Sequence, residues 1–145
     1  MHDLHMIERP LVLRITLIAP PAGVLFALQE GDVTPVEAQR SDSSDLTFEV
    51  LVRVAEGVKG ARFLGPFVRR EGDRRFVYLR VGRLAGDPDS PWDRRIKIFI
   101  TDIPAELVRL AAEHGAGLKA SFPGTMKDGS PACATQRPLD GWTLT

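Results

Sequence analysis

In Leu46-Thr47-Phe48-Glu49-Val50-Leu51-Val52-Arg53-Val54, the side chains of Leu46, Phe48, Val50, Val52 and Val54 project to one side, and Thr47, Glu49 and Arg53 to the other. A period of two marks a strand with one face on a core and the other in water. The same period recurs on both sides of it. Upstream, Leu11, Leu13, Ile15 and Leu17 alternate with Val12, Arg14, Thr16 and Ile18, and Val24, Phe26 and Leu28 resume the pattern after Pro20, Pro21 and Gly23. Proline removes a ladder donor and glycine admits a positive φ, so that junction is a turn. Downstream, Val77, Leu79 and Val81 oppose Phe76, Tyr78 and Arg80. Ile96, Ile98 and Ile100 oppose Arg95, Lys97 and Phe99, and Leu118, Ala120 and Phe122 alternate again.

The connections read as turns. Gln29 to Asp45 is polar and predicts a long loop with a short edge strand near Val36. Gly57 and Gly60 end the strand quoted first, Gly65 and Pro66 bend the stretch from Phe63 to Val68, and Gly72-Asp73 centres a charged hairpin turn. A loop with Gly86, Pro88 and Pro91 runs past Trp92, and Trp142 and Leu144 form a last short strand. One helix is expected, over 104–114. Thr101 or Asp102 would cap it, Pro104 fits its first turn, and Gly115 stops it. Its apolar stripe is Ile103, Leu107, Leu110 and Ala111, with Glu106, Arg109 and Glu113 on the wet face.

Many short strands with one helix predict a mainly β chain. The expected architecture is an antiparallel β-sandwich or partly open barrel whose helix closes one end; an α+β sheet is the alternative. The 145 residues make a single domain, 1–145, with a polar leader over 1–9 that orders only if something packs on Met6 and Ile7.

Charge and cysteine content narrow the function classes. Nineteen basic residues balance nineteen acidic ones, which argues against a general polyanion binder. A lone cysteine forms no internal disulfide and supplies no cysteine-rich zinc site, so a reducing cytoplasm fits best. Leu11 to Leu28 is interrupted by Arg14, Pro20 and Pro21 and reads neither as a membrane span nor as a signal peptide. His2 and His5 have no further ligands in view. No metal and no cofactor is called for.

The charges are nonetheless uneven. From Lys59 to Lys97 there are eleven basic residues and five acidic ones, a local net of +6; from Met1 to Val58 there are four and nine, a net of −5. Fifteen of the nineteen basic residues are arginine, whose planar fork pairs bidentately with carboxylates and phosphates. Arg69, Arg70, Arg74, Arg75, Arg94 and Arg95 are thus anion-binding candidates. The structural alternative pairs this patch with the acidic first third, within the fold or across a homodimer. Nucleic acid is the weaker reading, because only Phe76, Tyr78 and Arg80 interleave aromatic and basic groups in a row.

The loop Gly124-Thr125-Met126-Lys127-Asp128-Gly129-Ser130-Pro131-Ala132-Cys133-Ala134-Thr135 invites a phosphate cradle or a nucleophile loop. It fails the Walker pattern, since Lys127 precedes Asp128-Gly129 and Pro131 denies a continuous helix. Cys133 as a nucleophile needs a histidine and an electropositive setting, and the one interior histidine, His114, falls at a helix end. Lys127 and Asp128 more simply organise a turn with Gly129 in the left-handed position. Asp87 and Asp89 flank Pro88 on a solvated loop.

Six spaced blocks carry a resemblance: Pro20-Pro21-Ala22-Gly23-Val24, Asp45-Leu46-Thr47-Phe48-Glu49, Phe63-Leu64-Gly65-Pro66-Phe67-Val68, Arg75-Phe76-Val77-Tyr78-Leu79, Arg94-Arg95-Ile96-Lys97-Ile98, and Pro123-Gly124-Thr125 with Lys127-Asp128-Gly129 and Pro131-Ala132-Cys133-Ala134-Thr135. Together they resemble a family of small bacterial proteins known only as a domain of unknown function. The resemblance implies a cytoplasmic bacterial domain and carries no activity, cofactor or catalytic residue.

The expectation is therefore a non-enzymatic binding or interaction module. It would take a small anionic ligand or a protein partner through Arg75, Tyr78, Arg80, Arg94 and Arg95. Two alternatives stand beside it: an enzyme using Lys127, Asp128 and Cys133 in the loop at 124–135, and a structural homodimer. Whether the chain is an enzyme is not decided by its sequence.

Overall fold

The computed structural model describes residues 7–32, 34–57, 60–83, 94–132 and 137–145. In chain order the elements are β1 (Ile7–Ile18), β2 (Val24–Glu30), β3 (Thr34–Arg40), β4 (Leu46–Gly57), β5 (Gly60–Leu64), β6 (Arg69–Glu71), β7 (Arg74–Arg83), β8 (Arg94–Phe99), α1 (Ala105–His114), β9 (Leu118–Pro123) and β10 (Thr143–Leu144).

The alternating strands sort into two sheets. The first has the order β10-β9-β1-β4-β5. At its centre β1 and β4 run antiparallel, with Leu11 opposite Val52, Leu13 opposite Val50 and Ile15 opposite Phe48, all buried. On the outer face of the same pair, Arg14 donates to Glu49 at 2.8 Å and the hydroxyls of Thr16 and Thr47 meet at 3.0 Å. The second sheet holds β3, β2, β7, β6 and β8. β8 occupies one edge of β7; β2 and β6 share the other, since Phe76 faces both Arg69 and Phe99, and Val81 faces both Phe26 and Arg94. Phe26, Leu28, Val77, Leu79, Ile96 and Ile98 of this sheet and the inner side chains of the first form one core. The fold is mainly β, two packed sheets with one helix and no closed barrel among the described residues, so the sandwich describes it.

Among the described residues, one helix accounts for one parallel pairing. From the end of β8, α1 carries the chain to the first sheet, where β9 lies parallel to β1 with Leu13 opposite Leu118 and Leu17 opposite Phe122. A parallel neighbour needs such a crossover; the remaining pairs are antiparallel. α1 contacts β1, β5 and β10 of the first sheet, and its Val108 and Ala111 join the core.

Several expectations are corrected. The edge strand expected near Val36 is present as β3, seven residues long, and its polar residues fit an edge with little to bury; only the length of the loop around it is corrected. β4 ends at Gly57 as expected, and what was not expected is the strand that follows: Gly57 pairs with Gly60 across a hairpin into β5. Glu8 and Arg9, placed in the leader, belong to β1 opposite Ala55 and Val54. Thr101 and Asp102 do not cap α1. Pro104 takes that position without a side-chain bond, while the Thr101 hydroxyl bonds the Arg75 backbone and Asp102 receives Arg74. The helix also buries Val108 where Leu110 was expected; Leu110 is 44% exposed. At 100° per residue, Val108 and Ala111 stand about 60° apart on the buried side, whereas Leu110 lies about 100° from Ala111 and about 160° from Val108.

Candidate functional site

The two sheets leave one end where several chain segments meet. β1 finishes there at Ile18, β9 at Pro123 opposite it, β4 starts there at Leu46, and β8 starts at Arg94 opposite Val81. Between the start of β8 and the loop after β9 opens a cleft of about 840 Å3 with mainly apolar walls, lined by Arg94, Pro123, Thr125, Met126, Lys127, Asp128 and Ser130. That volume lies within the range of small-molecule sites.

The loop forming one wall is tied down residue by residue. The Gly124 amide donates to the Ile18 carbonyl at 3.1 Å, and a Cβ at Gly124 would fall 2.7 Å from that oxygen. Only glycine permits so close an approach of backbone to backbone. The Thr125 hydroxyl donates to the Ala19 carbonyl at 3.0 Å, and the Ala19 amide donates to the Asp45 carboxylate at 2.8 Å. Thr125 bridges Pro131, and the Met126 amide donates to Ser130 at 2.8 Å, closing a small hairpin. At its tip Gly129 takes a φ of +87°, the left-handed conformation its position in the turn predicts. Met126 folds back on the core and floors the cleft.

The charges of the cleft are arranged unevenly. The Asp128 carboxylate accepts both the hydroxyl of Ser130, at 2.5 Å, and its amide, at 3.0 Å. Those bonds, with a smaller contribution from the Arg94 charge, hold its carboxyl below the ordinary aspartate value. Among the described residues, the Arg94 guanidinium and the Lys127 ammonium enter no ion pair or hydrogen bond.

The other arginines named from the sequence lie elsewhere. Arg95, next in the chain to Arg94, points to the outer face of the second sheet. There its guanidinium carbon sits 4.4 Å over the Tyr78 ring, while Lys97 sits 4.6 Å over Phe76 and Arg74 3.5 Å over Phe99. Tyr78 is buried and Arg80 partly so. Lys97 also reaches Glu71 at 2.6 Å, Arg74 reaches Asp102, and Arg69 pairs with Asp32 of the acidic first third. Arg75 contributes its backbone to Ile100 and Thr101. The cleft therefore joins Arg94 with Lys127 and Asp128, and separates them from Tyr78, Arg80 and Arg95. Thr125, Met126 and Ser130 were not singled out as ligand contacts; their place in a loop following a strand was the available signal. His2, His5, Trp92, Asp87, Asp89 and Cys133 lie outside the described residues.

Among the described residues, no three of His, Cys, Asp and Glu gather where they would hold a metal ion. No helix there is long and apolar enough to cross a membrane. Residues 11–145 match the model of a family of unknown function, DUF5990, and the chain belongs to that family. None of the curated proteins and none of the solved structures matches it.

Proposed function

We propose that this member of the family binds a small organic anion, without covalent chemistry, in the cleft between the start of β8 and the loop after β9. One observation carries the reading. Arg94 and Lys127, whose charged ends have no bonded partner among the described residues, flank a mainly apolar cleft of about 840 Å3. An arginine fork gives an anion two parallel hydrogen bonds, and a lysine adds a compact positive charge. Met126 and Pro123 offer an apolar surface for the body of the ligand. Among the described lining residues the carboxylate is that of Asp128, which is already engaged by Ser130, and this reduces its competition for the two cations.

Isothermal titration of the full chain against a panel of short monocarboxylates and inorganic phosphate tests this. The expected result is binding by at least one panel member that weakens tenfold or more in the doubly substituted Arg94→Ala, Lys127→Ala protein. Absence of binding across the panel, or binding indifferent to both substitutions, overturns the proposal.

A further inference from the structure

The hydrogen bonds of the cleft are unequally committed, and the imbalance defines the ligand more closely. An anion such as phosphate is ordinarily surrounded by donors, often backbone amides at a turn. Here both hydroxyl donors of the loop and five of its amides are already used. The Thr125 hydroxyl proton goes to Ala19, and the Ser130 hydroxyl and amide go to Asp128. The Met126 amide goes to Ser130, that of Gly129 to Met126 and that of Ala132 to Gly124. The wall also offers acceptors. These are the spare lone pairs of both hydroxyls and the second carboxylate oxygen of Asp128, which takes no hydrogen bond among the described residues. The cations Arg94 and Lys127 stand beside these acceptors in the same cleft, and Arg94 and Asp128 feel each other's charge without meeting in an ion pair. Opposite charges held near each other but apart are complementary to one molecule that carries both.

Building on the anion-binding reading above, we infer that the cleft takes an apolar zwitterion, an α-amino acid or a dipeptide of apolar residues. Its carboxylate lies toward Arg94 and Lys127, its ammonium donates to Asp128, and its side chain rests on Met126 and Pro123. A carboxylate with no donor of its own would leave the second oxygen of Asp128 without a donor beside a bound anion, which adds repulsion. An amine with no carboxylate would meet two uncompensated cations.

The test is calorimetric titration of the full chain with L-leucine, L-leucyl-L-leucine, 4-methylpentanoate, 3-methylbutylamine and inorganic phosphate. L-leucine or its dipeptide is expected to bind at least tenfold more tightly than 4-methylpentanoate, which has the same carbon skeleton without the amine. The two zwitterions together decide whether a free amino acid or a peptide is the better ligand. Asp128→Asn, which keeps an acceptor for Ser130 but removes the charge, is expected to erase that tenfold preference. If 4-methylpentanoate or phosphate binds as tightly as the zwitterions, the zwitterion inference falls and the anion-binding reading stands. A preference for leucine that survives Asp128→Asn also overturns it. If no compound binds, both readings fall.

Discussion

Arg94 and Arg95 are consecutive in β8 and serve opposite faces of it: Arg94 lines the end cleft, whereas the guanidinium of Arg95 lies 4.4 Å over the ring of Tyr78 on the outer face of the sheet. The alternation of a strand separates two neighbouring charges into one available to a ligand and one spent on an aromatic ring.

Single substitutions separate the two roles. Arg94→Ala is expected to remove anion binding while leaving the unfolding midpoint close to that of the parent protein. Arg95→Ala should leave binding unchanged and cost roughly 0.5–1 kcal/mol of stability, the usual worth of a cation–π contact at an exposed site. Titration calorimetry and urea denaturation on both proteins check this; loss of binding in the Arg95 variant alone would contradict the assignment.

Gly124 is expected to tolerate no side chain. Its added Cβ would meet the Ile18 carbonyl oxygen at 2.7 Å and the Pro20 backbone at 2.9 Å, all main-chain atoms that yield only by shifting the turn. Gly124→Ala should lose about 1–3 kcal/mol, as overpacking does, and weaken ligand binding because the cleft wall moves with it. Chemical denaturation together with calorimetry would show both effects or refute the coupling.

Ser41 links the turn after β1 to the second sheet. It is buried, and its hydroxyl accepts from the Val24 amide at 2.9 Å and donates to the Pro21 carbonyl. Ser41→Ala leaves the part-buried Val24 amide and the Pro21 carbonyl without their partner, and the expected loss is about 1–3 kcal/mol. An unchanged urea midpoint would mean that water replaces the hydroxyl at no cost.

Acid stability should depend on Glu71. The hydrogen bond from Lys97 and the Lys97 charge, with a smaller contribution from Arg74, hold its carboxyl below the ordinary value of 4.5. A carboxyl depressed in the folded state adds stability above its unfolded pKa and loses it as pH falls through the folded one. The melting temperature is therefore expected to drop as pH falls below about 4.5, and Glu71→Gln should flatten that drop. Parallel melts from pH 7 to pH 3 would show whether the two proteins converge at the acid end, as this linkage requires.

The strands were legible because their alternation is local. Leu11 to Leu17, Leu46 to Val54 and Ile96 to Ile100 each announce an inner and an outer face without reference to anything distant. The helix was legible from Pro104 and Gly115, but its phase was not. Whether Val108 or Leu110 faces the core depends on how α1 rolls against β1, β5 and β10. β3 was partly hidden because an edge strand with one partner buries little and so carries a weak pattern.

The candidate site divides in the same way. By itself, the sequence determined that β8 is a strand and that Lys127, Asp128 and Gly129 form a turn, while it grouped Arg94 and Arg95 in one ligand set that the structure divides between two faces. Only the tertiary structure decided that this turn stands beside Arg94. That neighbourhood rests on β9 crossing to the first sheet and pairing in parallel with β1, which delivers Gly124 to Ile18 at the end where β8 begins. Periodicity records which side of a strand is apolar. The choice of neighbouring strand is made by burial and backbone hydrogen bonding between segments more than a hundred residues apart, and no local pattern carries it.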